Sequence, residues 1–297
     1  MAHRKTVVIL SVTAGILAVL IIISTVIINV INGKVEDEIT AQIDSAIDAE
    51  GLDQNFSYGE VQASVARGRI GLTDVRFSSP MGDSDMQADN IRLAVPVTEA
   101  IAFVQNPDSA SLSKLQLSGE QMTLTNPQTG NKTETGAFQF DIEGELDRSL
   151  LDVPLSVLME KVSGIQVKLN DSKFTPGSQF ITQMQMFPGA ATLVSDGAFD
   201  IKTMNIGADI SPEEVILNTF DLDSGLMSFD GIADIGFNGR AEPKNFSGEF
   251  SIDKLHSDMR GSVAPFFQQI GQPIPSEGSF DLSFDFSESG SPEITVE

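Results

Sequence analysis

From Val7 to Ile31 the chain carries no charged side chain, and its only polar residues there are Ser11, Thr13, Ser24, Thr25 and Asn29. As an α-helix the run measures roughly 37 Å, enough to cross a hydrocarbon core of about 30 Å with some tilt. Its many β-branched residues do not oppose this, because in lipid the backbone must satisfy its own hydrogen bonds and a helix does so locally. Arg4 and Lys5 precede the run, while Lys34 is followed at once by Glu36, Asp37 and Glu38. That bias sets residues 1–6 in the cytoplasm and everything after the span outside. A cleaved secretory signal is the rival, but its apolar core is about 7 to 15 residues long and ends at a small-x-small site. Residues Ile28 to Asn32 offer no such site, so the expectation is an uncleaved anchor over 7–31.

Past the anchor the polymer changes character: all 42 acidic residues lie there, against 16 of the 18 Lys and Arg. Such a surface repels nucleic acid, whose phosphates need basic partners, and repels an anionic leaflet equally. Cysteine is absent, which removes disulfides, thiolate nucleophiles and cysteine-ligated metals. A remaining stretch of this size can bury a large core without them.

Residues 34–50 read as an amphipathic helix, with Val35, Ile39, Ile43 and Ile47 at intervals of four and Gly33 and Gly51 at its ends. It serves either as a cap on the following domain or as a stalk or coiled-coil contact with a partner. Over 56–297 the period drops to two. Val61, Ala63 and Val65 alternate, then Ile70 and Leu72, Val75 and Phe77, Ile91, Leu93 and Val95, Leu115 and Leu117, Met122 and Leu124, each set interleaved with polar residues. Phe280, Leu282, Phe284 and Phe286 repeat the pattern near the end, with Asp281, Ser283, Asp285 and Ser287 between them. Alternation of this kind marks antiparallel strands covered on one side. The predicted fold is therefore mainly β: one transmembrane helix, then an antiparallel, strand-rich domain built as a curved open sheet or a sandwich. Short helices are expected at Pro96–Val104, Val153–Val162, Pro212–Phe220 and Val263–Gln269; in the third, Ser211 would be the N-cap and Pro212 the first helical residue. Lys173–Ala190, with Pro176-Gly177 and Pro188-Gly189, is the candidate for a weak division. A glycine precedes an aromatic by two positions at Gly136, Gly197, Gly248 and Gly278, which predicts a glycine turn leading into a strand.

Little in the sequence points to catalysis. Beyond the anchor His256 is the only imidazole, and no nucleophile elbow, phosphate loop, dinucleotide fingerprint or zinc-protease motif is present. Acid pairs such as Asp83 with Asp85, Asp221 with Asp223 and Asp281 with Asp285 read as wet strand faces. A hydrolase whose two carboxylates meet only in three dimensions stays open as an alternative. No catalytic residue, metal or cofactor is assigned. The aromatic balance, 19 Phe against one Tyr and no Trp, supplies bulk without a polar handle. Such residues fill a dry core or line a greasy groove.

The sequence as a whole resembles the AsmA-like envelope proteins, relatives of bridge-like lipid-transfer proteins. The resemblance rests on the anchor at 7–31, Phe56 to Val61, Arg69 to Phe77, Met86 to Val95 and Ser113 to Leu124, with similar phrasing at Gly278 to Phe286. It implies a sheet whose apolar face shields acyl chains, a place in the inner membrane facing the periplasm, phospholipid as ligand, and no catalytic residues. Candidate lipid-facing residues are Ile70, Leu72, Val75, Phe77, Ile91, Leu93, Leu115, Leu117, Met122 and Leu124. The competing expectation is a non-enzymatic scaffold with a closed sandwich, binding partners through the 34–50 helix or a sheet edge.

Overall fold

Period-two alternation gives strands wherever it occurs. The computed structural model describes residues 36–49, 54–64, 68–79, 82, 84–99, 111–146, 160–184, 198–237, 243–286 and 293–297. The chain is mainly β and antiparallel, and it divides into two compact units between Asp152 and Val153, upstream of the turn-rich Lys173–Ala190. The anchor at 7–31 lies outside the described residues. Among those residues no helix is long and apolar enough to cross a membrane.

In the first unit, helix α1 (Glu36–Ala49) precedes strands β1 (Phe56–Ser57), β2 (Val61–Ser64), β3 (Arg69–Ser78), β4 (Asp85–Ala94), β5 (Leu112–Asn126) and β6 (Asn131–Leu146). β1 and β2 both pair with β3, and β3 to β6 follow as a meander. Residues opposite one another share a face. One row runs Ile70, Leu93, Leu117, Phe140, and another runs Val75, Ala88, Met122, Thr135. Most of these side chains are buried, with Val75 and Leu93 at 0% exposure. The 34–50 stripe contributes to the same burial: Ile43 and Ile47 turn inward, Asp44 and Asp48 face out, and α1 packs on β2. The Tyr58 hydroxyl donates to Asp44 Oδ1 at 2.6 Å. Burial and that bond hold its phenol well above the usual range.

Three residues explain why the alternation slips by one within strands. Asp74, Gln121 and Asp171 have φ of 50°, 52° and 50°, in the left-handed region. A strand residue there re-aims the side chains beyond it. Hence Ile70 and Leu72 share a face with Val75 and Phe77, and Leu115 and Leu117 with Met122 and Leu124. Thr73 opposes Asn90 and Val75 opposes Ala88, and on the partner strand the buried positions step from Ala88 to Ile91, so its alternation slips at the same level.

The second unit contains β7 (Val162–Thr175), helix α2 (Ser178–Met184), β8 (Phe199–Ile210), β9 (Glu214–Ser224), β10 (Met227–Phe237), β11 (Pro243–Leu255), helix α3 (Ser257–Gln269), β12 (Phe280–Phe286) and β13 (Glu293–Val296). Each strand pairs with the next along the chain.

Several expectations need correction. The helix expected at Pro212–Phe220 does not form: 212–213 is a bend and Glu214 opens β9. Ser211 does cap, but it caps a turn. Its hydroxyl accepts from the Glu214 N–H at 3.1 Å, and its own N–H donates to the Glu214 carbonyl at 2.8 Å. A Ser-Pro-Glu-Glu run suits either a helix start or a tight turn, and the β-branched Val215, Ile216 and Thr219 between two flanking strands decide for the strand. Of Pro96–Val104, residues 97–99 are helical and the rest lies outside the described residues. Of Val153–Val162, residues 160–161 are helical and Val162 already begins β7. The fourth expected helix is longer than predicted, starting at Ser257.

The glycines before aromatics also do different work. Gly136 and Gly248 sit inside strands, and only Gly278, with φ +81°, is at a strand entry; Gly197 lies outside the described residues. Inside the strands glycine seats a ring from the neighbouring strand. A Cβ on Gly119 would sit 2.5 Å from the Phe138 ring, one on Gly248 2.7 Å from the Phe284 ring, and one on Gly231 would collide with the Phe250 ring. Each of these pairs is directly cross-strand.

Candidate functional site: the apolar face of β7 to β13

Strand registers in the second unit assemble one continuous face from seven separate strand segments. A row crosses six strands through Leu169, Met204, Leu222, Phe229, Ile252 and Phe280. A second crosses all seven through Ile165, Ala208, Leu217, Ala233, Gly248, Phe284 and Ile294. Neither row contains a charge or a hydrogen-bonding side chain. The row directly behind the second reads Gly164, Asp209, Ile216, Asp234, Ser247, Asp285 and Glu293. One side of the sheet is thus apolar and the other acidic, over a width of about 29 Å for seven strands spaced ~4.8 Å apart.

Aromatic rings form a chain along this face. Phe220 meets Phe229 edge-on at 5.1 Å, Phe229 meets Phe250 at 5.8 Å, Phe250 stacks on Phe284 at 5.6 Å, and Phe284 lies 4.6 Å from Phe246. Coverage is uneven. At one end α3 lies over the sheet and buries Ile252, Phe280 and Ile274. At the other, Phe246 and Phe286 are each 38% exposed, and most residues between are half-buried.

The polar face holds ordinary surface pairs. Lys202 meets Asp223 at 2.8 Å, Asn218 donates to Asp209 at 3.0 Å, and Ser251 bonds Asp281. Asp281 and Asp285 are on this wet side, as the alternation predicts. Glu214 hydrogen-bonds Asp234, and that bond together with the neighbouring charge holds its carboxyl above the usual carboxylate range. A hollow of ≈ 550 Å³ on the same side is lined by Ile216, Ile232, Asp234, Glu249, Asp285 and Glu293, with Ser and Thr between. His256 is spent on α3, where its ring nitrogen accepts from the Asp258 N–H at 3.4 Å. Among the described residues no three His, Cys, Asp or Glu are grouped to hold a metal ion.

The ten residues expected to face lipid all lie on the inward face of β3, β4 and β5. Nine of them are buried, and Leu124 is half-buried. The structure brings these ten residues together inside the packing of the first unit. The more accessible apolar surface is on β7 to β13, where local pattern marks Phe280 to Phe286 and the aromatics two positions after Gly197 and Gly248, but not the rows that join them. Its signal was present: Phe199, Ile201, then Met204, Ile206, Ala208 and Ile210 alternate across a one-residue slip. Reading 212–220 as helix hid the strand that joins this segment to the rest. Compared with known protein families, curated proteins and solved structures, the chain matches none.

Proposed function

We propose that this chain is a membrane-anchored envelope protein that shields phospholipid acyl chains on the apolar face of β7 to β13 and hands them on, supporting envelope biogenesis. The observation that carries the reading is the pair of uninterrupted apolar rows across that sheet, half-open to solvent and backed by acids. Each CH₂ laid on such a face leaves water with a gain of roughly 0.8 kcal/mol. No side chain in the two rows can bond a headgroup, so the headgroup stays wet at the margin while the chains are dry. The reading agrees with the resemblance to AsmA-like proteins and with an anchor at 7–31 whose basic flank keeps the domain outside the cytoplasm.

A scaffold is the second reading, favoured by the dry packing of the first unit, where Leu72, Val75, Ile91 and Leu93 serve one another. The two readings separate in one experiment. The full chain, purified from membranes, is examined by native mass spectrometry with its lipids identified, and then assayed for transfer of labelled phospholipid between vesicles. Bound phospholipid that is lost on Ile206→Asp supports shielding. A lipid-free protein with no transfer sinks it and leaves the scaffold.

A further inference from the structure

Helix α3 is built in two halves that are held in different ways. Its first turn is pinned. Arg260, only 8% exposed, donates from its two terminal nitrogens to the carbonyls of Pro275 and Gly278, each at 2.5 Å, and its guanidinium lies 5.6 Å from the centre of the Phe280 ring. Its last turn is closed on itself. The Gly271 N–H donates to the Gln268 carbonyl at 3.1 Å, the Gln272 N–H donates to the Phe267 carbonyl at 2.9 Å, and Gly271 has φ +79°. Those two bonds with a left-handed glycine form a complete C-terminal cap, which keeps the second half helical in its own right.

Between the halves the helix is weak. Pro265 has no N–H, so the helical bond to the Gly261 carbonyl cannot form, and Gly261 itself is the least constrained residue a helix can hold. Beyond Gly261, Val263, Ala264 and Phe267 lie on the closed end of the apolar face, against Ile252 and Phe280. On the outer side Phe266 is 54% and Ile270 40% exposed. The second half therefore carries apolar residues on both sides, with Gln268 and Gln269 exposed beside Phe266 and Ile270. Lifting it off the sheet breaks one long polar contact, from the Val296 N–H to the Gln272 side-chain oxygen at 3.5 Å, and a hydrocarbon chain can replace the apolar contacts it leaves.

We infer that residues 262–270 form a flap, hinged at Gly261, whose carbonyl has no helical donor from Pro265, that closes one end of the apolar face and lifts to admit the end of an acyl chain. This rests on the lipid-shielding reading above. The pinned Arg260 keeps the hinge in place while the flap moves, so the face lengthens toward Phe229 and Phe280 without the unit coming apart.

The test uses the full chain in phosphatidylcholine vesicles containing pyrene-labelled phosphatidylcholine, with unlabelled acceptor vesicles, and hydrogen exchange across 262–270. Pro265→Ala and Gly261→Ala both stiffen the helix and hold the flap shut. Transfer then slows roughly tenfold for the first and about threefold for the second, with slower amide exchange in both. Nothing lies within 4 Å of a Cβ placed on Gly261, so that variant folds without a clash. If the unaltered protein transfers lipid and both variants match it, the flap is overturned and the lipid reading stands. Slower transfer with unchanged exchange across 262–270 also overturns the flap, since the effect then lies elsewhere. An unaltered protein that transfers nothing overturns both.

Discussion

The two units are made of the same kind of strand and differ in what their apolar sides meet. In the first, the inward rows of β3, β4 and β5 are almost wholly enclosed, and Leu93 has no exposed surface. In the second, equivalent rows of Met204, Leu222, Phe220 and Phe284 are half-covered, and α3 seals one end only. Alternation thus fixes which side of a strand is apolar but not what covers it. Coverage depends on elements elsewhere in the chain, and a sheet that lacks a full cover keeps its greasy side available.

The sharpest way to break this contrast is truncation at matched positions. Leu93→Ala should cost about 3–4 kcal/mol, because a sealed site gains a cavity, whereas Leu222→Ala, half-exposed already, should cost about 1 kcal/mol. Denaturant unfolding with hydrogen exchange resolved by unit measures both, and equal losses would erase the distinction. Next, Arg260→Ala should cost about 2–3 kcal/mol, concentrated in 257–286, because it removes a buried guanidinium that makes two charge-assisted hydrogen bonds, to the carbonyls of Pro275 and Gly278. Arg260→Lys should recover little, since one ammonium cannot span both carbonyls as the fork does. A smaller effect is expected where the alternation slips. Gln121→Gly should stabilise the first unit by up to about 1 kcal/mol by removing left-handed strain, and Asp171→Gly should do less for the second, because Asp tolerates that region better. Thermal melts of the two variants check the order.

The smallest expected effect is electrostatic. The carboxyl of Glu214 titrates higher in the folded chain than in the unfolded one, chiefly through its bond to Asp234. The folded state therefore holds the extra proton, and the stability this adds is complete below the unfolded value and lost as pH rises through the folded one. Glu214→Gln should raise stability slightly near neutrality, with the gain fading as the medium becomes acidic. A gain that instead grows on acidification would contradict the assignment. The site is on the polar side, so lipid transfer should be unchanged.

Much of the fold is legible in the residues. The strand pattern, the inward set from Ile70 to Leu124, the 34–50 helix and the wet side of Asp281 and Asp285 all follow from periodicity and charge. The one-residue slips could be read too, because Leu72 is followed by Val75 and Leu117 by Met122. Segments whose local chemistry serves two structures could not: Ser211-Pro212-Glu213-Glu214 satisfies a helix start as well as a turn, and only the neighbouring strands choose. The candidate site was half legible. Its residue types were visible in the tail, but its extent depends on registers joining residues as far apart as Leu169 and Phe280, which no local pattern carries.

The glycines beneath the phenylalanines have a consequence for whatever rests on the open face. With Gly231 and Gly248 offering no side chain, Phe250 and Phe284 settle close to the neighbouring backbone instead of standing up from it. The surface there is paved rather than notched. A ligand would be held by area of overlap and not by fit to a socket, so sideways sliding meets few barriers and chain length or unsaturation is weakly discriminated.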